Sequence, residues 1–233
     1  MTDLGNGGVV KDILNGLGLR ANRVSALNGW ELTMAEKIEL LGPYGTKAPM
    51  RGGQIGCLLS HISVIKDAYN RGFKKIWILE DDICFNESPH ILPDLLEELT
   101  EFDPNWDVFY TDRDFLHRSV RKMSRESASG YFRPDQKYPL GVFYTRTWQV
   151  SPNIFRIRYR FGMHSVLISR KGIEKILHYF THTYIYSPID HDIHHIPSIK
   201  EYAYNREMTY TNLETSDSYV PLSERNPWND LDV

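Results

Sequence analysis

The sequence predicts an α/β fold in which helices flank a single sheet, and three observations support this class. Between residues 9 and 110, segments with apolar residues at helical spacing alternate with short apolar runs typical of strands. One of these runs, residues 76–79, leads directly into three carboxylates, as at the ligand-binding edge of open α/β sheets. The 233 residues, 41% of them apolar, suffice for one large domain with a sizeable core. The alternation favours a mainly parallel sheet.

The elements of the first half follow from the spacing of apolar residues. Helices show apolar residues three or four positions apart, whereas strands are short runs of β-branched and aromatic residues bounded by Gly, Pro or Asn. In chain order these patterns predict a helix at residues 9–18, a strand at 21–27 ended by a turn at 28–29, a loop at 42–53, a helix at 55–69, a strand at 76–79, a helix at 89–102 and a strand at 106–110.

The second half begins with an aperiodic, basic segment at about residues 111–140, which we interpret as a functional or mobile insertion. Strands are predicted at 142–144, 154–160 and 163–168, followed by a helix at 171–180 with Ser169 as its cap. Alternation within 156–160 (RIRYR) places three arginines on one strand face, either as a solvated or guarded edge or as a contact for phosphate or an anionic acceptor. We assign residues 1–212 to one domain and 213–233 to a C-terminal tail.

Composition and charge narrow the class of protein. The net charge of −3 gives no reason to expect nucleic acid as a partner. The two cysteines, Cys57 and Cys84, form neither a disulfide framework nor a metal-binding spacing, which fits a reducing compartment. No apolar run has membrane-spanning length, and residues 1–8 lack the order of a secretion signal. We therefore expect a cytoplasmic protein with at most peripheral membrane contact.

The first candidate site is the acidic run at residues 80–82. Three adjacent carboxylates repel one another unless a cation or hydrogen-bond donors compensate them. Strand periodicity puts Glu80 and Asp82 on one side and Asp81 on the other. Two oxygen donors on one face suit Mg²⁺ or Mn²⁺. The alternative that these residues leave open is a solvated acidic strand exit.

The second candidate site is the run at residues 186–195 (YSPIDHDIHH). Its last six positions hold two carboxylates and three imidazoles, which suit a metal ligand or a general base. The spacing matches no four-ligand zinc pattern. The alternative is a surface loop or helix start with incidental histidines, in which Asp190 serves as a cap.

The glycine-rich run at residues 52–57 (GGQIGC) has neither the Walker spacing nor the dinucleotide-binding spacing. It predicts a loop that leads into a helix, whose first amides are able to hold an anion. Ser60 and His61 are adjacent on that helix and point in different directions, which argues against a catalytic Ser–His pair.

Four blocks of this chain resemble, in order, the blocks of glycosyltransferase family 25. They are residues 53–61 (GQIGCLLSH), 78–82 (ILEDD), 168–177 (ISRKGIEKIL) and 188–190 (PID), of which the first two are specific as a pair. The family includes bacterial lipooligosaccharide galactosyltransferases and collagen galactosyltransferases. The resemblance implies a GT-A-like fold with a single Rossmann-like mixed sheet flanked by helices. It also implies a UDP-sugar donor, Mn²⁺ or Mg²⁺ as cofactor, and inverting transfer of a hexose to a glycan acceptor, such as a lipid-linked lipooligosaccharide.

By position, the resemblance also assigns roles to the acids and their neighbours. Asp82 becomes the first metal ligand, with Glu80 in support and Asp81 on the ribose or sugar. Glu80, Asp81 and His61 then form the donor and diphosphate side, where His61 organises the acidic loop. On the acceptor side, Asp190 becomes the catalytic base, and His194 or Asp192 completes the metal shell.

The chain departs from the family pattern at two places. Family members usually begin with a strand resembling I-N-L that lines the nucleotide pocket, whereas this chain starts at what resembles the following helix. The family's G-T-x-A-Y block is replaced by GMHSV at residues 162–166. An active transferase is therefore the first hypothesis, a catalytically inactive binding relative the second, and a metal-dependent phosphohydrolase the third.

Overall fold

A computed structural model describes residues 7–48, 50–113, 133–134 and 146–211. Its helices are α1 (Gly7–Gly16), α2 (Met34–Leu41), α3 (Gly52–Asn70), α4 (Leu92–Phe102), α5 (Arg170–His182) and the short α6 (Ile189–Asp192). Turns of 3₁₀ helix lie at Gly42–Lys47, Pro89–Ile91 and Ile193–His195. The strands are β1 (Lys75–Leu79), β2 (Ile83–Phe85), β3 (Val108–Tyr110), β4 (Trp148–Gln149), β5 (Ile154–Ile157), β6 (Ser165–Ser169), β7 (Glu201–Tyr204) and β8 (Thr209–Thr211).

Six strands form one mixed sheet in the order β1-β6-β3-β7-β5-β4, and β2 pairs with β8 in a small second sheet. The predicted α/β class with a mixed sheet flanked by helices is confirmed. A mainly parallel sheet is wrong for the described strands, because only β3 and β7 pair in parallel. The strands β1 and β3 do run in the same direction, but β6 lies between them and is antiparallel to both.

The central strands divide their side chains between two cores, as the two-residue period of a strand requires. Val108 and Tyr110 of β3 face the core that includes α3 and α5. Phe109 faces the opposite core, which includes the apolar side of α4. Helices α3 and α5 therefore cover one face of the sheet, and α4 covers the other.

Several local predictions are confirmed, and others are wrong for physical reasons. The helices predicted at 9–18, 55–69, 89–102 and 171–180 are present, and the Ser169 hydroxyl caps α5 by accepting a hydrogen bond from Gly172 N at 3.1 Å. The strand predicted at 21–27 has no regular structure, because its residues are exposed and the backbone of its last residue, Leu27, pairs with α3 and not with a strand. The predicted loop at 42–53 contains a 3₁₀ helix and the first residues of α3.

The strand predicted at 154–160 ends at Ile157, so its arginines do not share one strand face. Arg156 lies 3.9 Å from Asp103, whereas Arg160 is buried and lies 3.1 Å from Asp112. Most of the predicted insertion, the strand at 142–144 and the tail from residue 213 lie outside the described residues. In the described part of the chain, every helix is too short or too polar to span a membrane.

The strand directions decide which loops meet. Leu79 at the end of β1 lies opposite Ser165 at the start of β6, and Tyr110 at the end of β3 lies opposite Val166. The residues after β1, those after β3 and those before β6 therefore converge at one edge of the sheet. This edge carries the candidate site.

Candidate active site

One face of α3 serves packing, which explains the glycines of the 52–57 run. A methyl group added at Gly56 would lie 2.4 Å from the Leu27 carbonyl oxygen, and one added at Gly52 would lie 2.4 Å from the Trp30 ring. The Ser60 hydroxyl accepts a hydrogen bond from Leu27 N at 2.8 Å and donates one to Gly56 O at 2.7 Å. The glycines therefore let residues 27–30 lie directly on the helix, and Trp30 covers its first turn.

The next face of α3 points to the acids. His61 is buried, and its Nε2 donates to Glu80 Oε1 at 3.1 Å. Glu80 follows β1, and its backbone N–H donates to His164 O at 2.8 Å. Burial favours the neutral acid, but the His61 hydrogen bond and the charges of His61 and His164 lower the pKa of Glu80 overall. Glu80 is therefore a carboxylate at neutral pH, with 33% of its side chain exposed.

The three acids occupy the turn between β1 and β2, where Asp81 is exposed and Asp82 is half-buried. Carboxylate oxygens are the donors that Mn²⁺ and Mg²⁺ prefer, and Glu80 is both ionised and partly exposed. The donor set of Glu80 and Asp82 therefore fits the divalent cation that the family resemblance implies.

The run at residues 185–196 forms the opposite wall, and Asp190 is its one residue that is not buried. One of its oxygens, Oδ2, accepts a hydrogen bond from Gly162 N at 2.8 Å, and 21% of its side chain is exposed. Gly162 has φ of +75°, a left-handed conformation that glycine adopts without strain. The geometry therefore singles out Asp190 among the acids and histidines of its run.

The segment at residues 162–164 joins these carboxylates, because Gly162 N donates to Asp190 and His164 O accepts from Glu80 N, each at 2.8 Å. Burial of the sulfur raises the pKa of Cys57, and the charges of Glu80, Asp190 and Asp82 raise it further. The structure thus brings Asp190 of α6 to the same site as the acids that follow β1. Cys57 and His61 of α3 lie beside Glu80, with their ligand atoms within 4.8 Å of its carboxylate.

The neighbours of Asp190 hold α6 in place. Asp192 accepts a hydrogen bond from Arg133 at 2.8 Å, and burial raises the pKa of Asp192 to about 6 despite that partner. His194 Nδ1 donates to Glu201 Oε2 at 2.8 Å, and its Nε2 lies 3.0 Å from Arg160 O. The structure does not bring His194 to the acids of residues 80–82, because both of its ring nitrogens are held in this buried support. Asp192 is held there in the same way.

Two site residues escaped the sequence analysis. Asp112, which follows β3, is buried and lies 3.1 Å from both Arg160 Nη1 and His164 Nε2. The backbone carbonyl of His164 in turn accepts a hydrogen bond from Glu80 N at 2.8 Å, so His164 contacts both Glu80 and Asp112. Two features of the sequence could have indicated these residues. Asp112 follows a predicted strand, and His164 lies where residues 162–166 depart from the family pattern.

Comparison with known proteins gives one family. The model of glycosyltransferase family 25 (LPS biosynthesis protein) matches residues 9–193. Mouse procollagen galactosyltransferase 2 is 32% identical over 95 residues, which are 40% of this chain and 15% of the relative. The human procollagen galactosyltransferase 2 is 29% identical over 134 residues, 55% of this chain and 20% of the relative. The human inactive glycosyltransferase 25 family member 3 is 30% identical over 100 residues, 39% of this chain and 16% of the relative.

The alignments therefore span at most a fifth of the length of these three relatives. The family match, in contrast, covers most of this chain and includes the acidic turn after β1, the glycine-containing face of α3 and Asp190. The protein belongs to glycosyltransferase family 25.

Proposed function

We propose that this chain is a metal-dependent inverting glycosyltransferase that moves galactose from UDP-galactose to a surface glycan such as lipooligosaccharide. The observation that carries the proposal is that the segment at residues 162–164 contacts both Asp190 and Glu80, through Gly162 N and His164 O respectively, each at 2.8 Å. The names of the procollagen galactosyltransferases support galactose as the sugar, and the family description supports a lipopolysaccharide-type acceptor. We place the reaction in the cytoplasm, with at most peripheral contact to a membrane that carries the acceptor.

Asp190 is the proposed base. The Gly162 N–H holds Oδ2 at 2.8 Å, which leaves Oδ1 to take the proton from the acceptor hydroxyl. The hydroxyl oxygen then bonds to the anomeric carbon while the bond from that carbon to the diphosphate oxygen breaks. One direct displacement of this kind inverts the anomeric centre. A positioned base typically accelerates such a step by roughly 10² to 10⁴-fold.

Glu80 and Asp82 are the proposed cation ligands, and Asp81 is exposed where a ribose or sugar hydroxyl is able to reach it. When bound, the cation would neutralise charge on the leaving diphosphate. His61 contributes by fixing the Glu80 carboxylate at 3.1 Å and keeping it ionised. The donor side and the base therefore reside on different elements.

Two variants separate donor binding from chemistry. Mn²⁺ with UDP is expected to raise the melting temperature of the wild-type chain by ligand linkage, and Asp82→Asn is expected to abolish that shift. Asp190→Asn is expected to keep the shift and to lose transfer by roughly 10² to 10⁴-fold in a screen of nucleotide sugars. Asp94→Asn, at an exposed acid of α4, is the control and should change neither readout. Absence of a shift with every nucleotide diphosphate tested would contradict the proposal.

A catalytically inactive binding protein is the second candidate, because one of the similar human proteins is itself named inactive. It would bind UDP or glycan without donor turnover in the same screen. Hydrolysis of simple phosphoesters without sugar transfer would instead indicate a phosphohydrolase.

A further inference from the structure

We propose that Cys57, His61 and Glu80 form a second cation site, which prefers Zn²⁺ and other divalent ions that accept sulfur and nitrogen ligands. Among the described residues they are the one group of three such side chains whose ligand atoms, a thiol sulfur, an imidazole nitrogen and a carboxylate oxygen, all lie within 4.8 Å of one another. Cys57 and His61 are four residues apart on α3 and so share a helix face. Glu80 reaches them from the end of β1.

The donor atoms decide which ion this site prefers. Sulfur, nitrogen and oxygen together suit Zn²⁺, whereas Mn²⁺ and Mg²⁺ prefer oxygen alone. In a tetrahedral zinc site the ligand atoms lie roughly 3.5 Å apart, so the ligand atoms of this cluster, all within 4.8 Å of one another, need to approach by no more than about 1.3 Å. Three protein ligands leave the fourth position to water or to an anion. Binding releases the thiol proton to solvent.

Two further features favour an ion at this point. His61 is only 5% exposed, and its Nδ1 has no hydrogen-bond partner in the described part of the chain, so Nδ1 can carry the ring proton while Nε2, which faces Glu80, serves as the ligand. Although burial raises the pKa of its thiol, the Cys57 residue as a whole is exposed, so an ion can reach the cluster from solvent. The charges of Glu80, Asp82 and Asp190 all act on the thiol, and an entering cation meets their combined negative field.

The second site shares Glu80 with the proposed Mn²⁺ site, so zinc is expected to inhibit transfer by engaging that carboxylate. Only this inhibition rests on the proposed function. Zinc binding itself follows from the cluster and is measurable in a chain that transfers no sugar.

Cobalt(II) alone serves as the probe, because a thiolate ligand gives it a charge-transfer absorption in the near ultraviolet. The metal-free wild-type chain should show this absorption at one equivalent, and Zn²⁺ should displace it. Cys57→Ser should remove the absorption and weaken zinc binding by roughly 10-fold or more. Cys84→Ser is the matched control, since it removes the only other cysteine. It should keep both the cobalt absorption and the affinity for zinc.

The outcomes separate the two sites. A wild-type chain without thiolate absorption, or a Cys57→Ser chain that keeps it while folded by circular dichroism, overturns the second site. Asp82→Asn should retain the cobalt absorption, even though Mn²⁺ with UDP no longer raises its melting temperature. If the shift and transfer are absent from the wild type but the cobalt absorption is present, the proposed function fails and the second site stands.

Discussion

At the residue scale, His194 lies in a buried network that joins the end of α6 to the sheet. Glu201 of β7 accepts hydrogen bonds from His194 Nδ1 and from the Tyr110 hydroxyl, the latter at 3.0 Å. Burial opposes a charged imidazole, but the Glu201 carboxylate and the Arg160 carbonyl raise the pKa of His194 overall. The folded chain therefore binds this proton more tightly than the unfolded chain does.

This shift predicts a pH dependence of stability. A raised histidine pKa gives stability that is fully present below the unfolded pKa of about 6.5 and is lost as pH rises through the higher folded value. The free energy of unfolding of the wild type should therefore be higher than that of His194→Gln, and the difference should be largest at about pH 6. This difference should shrink toward about pH 9. Urea unfolding of both proteins across this range measures it. His90→Gln, at an exposed histidine, is the control, and an excess that grows with pH would contradict the expectation.

At the element scale, α3 carries two functions on adjacent faces. Gly52, Gly56 and Ser60 receive residues 27–30, while Cys57 and His61 face the acids that follow β1. The one-residue offset between the two sets rotates them by one helical step, about 100°. The packing of residues 27–30 on one face of α3 therefore leaves the adjacent face, with Cys57 and His61, to contact Glu80.

Gly56→Ala tests this packing. Its methyl group would meet backbone atoms of residues 27 and 29 at 2.4 to 2.6 Å, and backbone cannot move aside as a flexible side chain can. We expect a loss of about 1–3 kcal/mol in the free energy of unfolding. Gly53→Ala is the matched control, because its methyl group meets only the Trp30 ring at an ordinary 3.4 Å and alanine favours helix. Equal stability of the two variants in urea would show that the contact is unimportant.

Elements with a strong local period, such as α4 and α5, were predictable because the spacing of their apolar residues is visible in a short stretch of sequence. The irregular structure of residues 21–27 was not predictable, because Leu27 contacts a face of α3 that is distant in the sequence. Asp190 and Glu80 were assigned to the candidate site from the family motifs, and in the fold both contact the segment at residues 162–164. His164 and Asp112 were not assigned, because antiparallel pairing of β6 with β3 brings them together from distant parts of the chain.

At the scale of the whole molecule, a buried ion pair joins Arg133 to Asp192 at the end of α6. The Arg133 guanidinium donates to Asp192 at 2.8 Å, also donates to the Tyr184 carbonyl oxygen, and lies over the Tyr44 ring. Both charged side chains are almost completely buried. Removal of either partner leaves a charge in a region that excludes water.

Arg133→Met should therefore cost about 3–5 kcal/mol in the free energy of unfolding, because it leaves Asp192 buried without its cation. The double variant Arg133→Met with Asp192→Leu should recover much of that loss, since no charge then remains buried. Guanidinium unfolding of the wild type, both single variants and the double variant gives the coupling energy. Additive losses in the double variant would contradict a coupled pair.

The place of β6 between β1 and β3 also sets the order in which the molecule can be completed during synthesis. Both neighbouring strands leave the ribosome before residues 165–169, and each must wait for β6 before its backbone groups on that side find partners. Pairing of this kind closes a loop of many residues and is slow. The acids after β1 are therefore made early, but the edge of the sheet at which they meet Asp190 is assembled late.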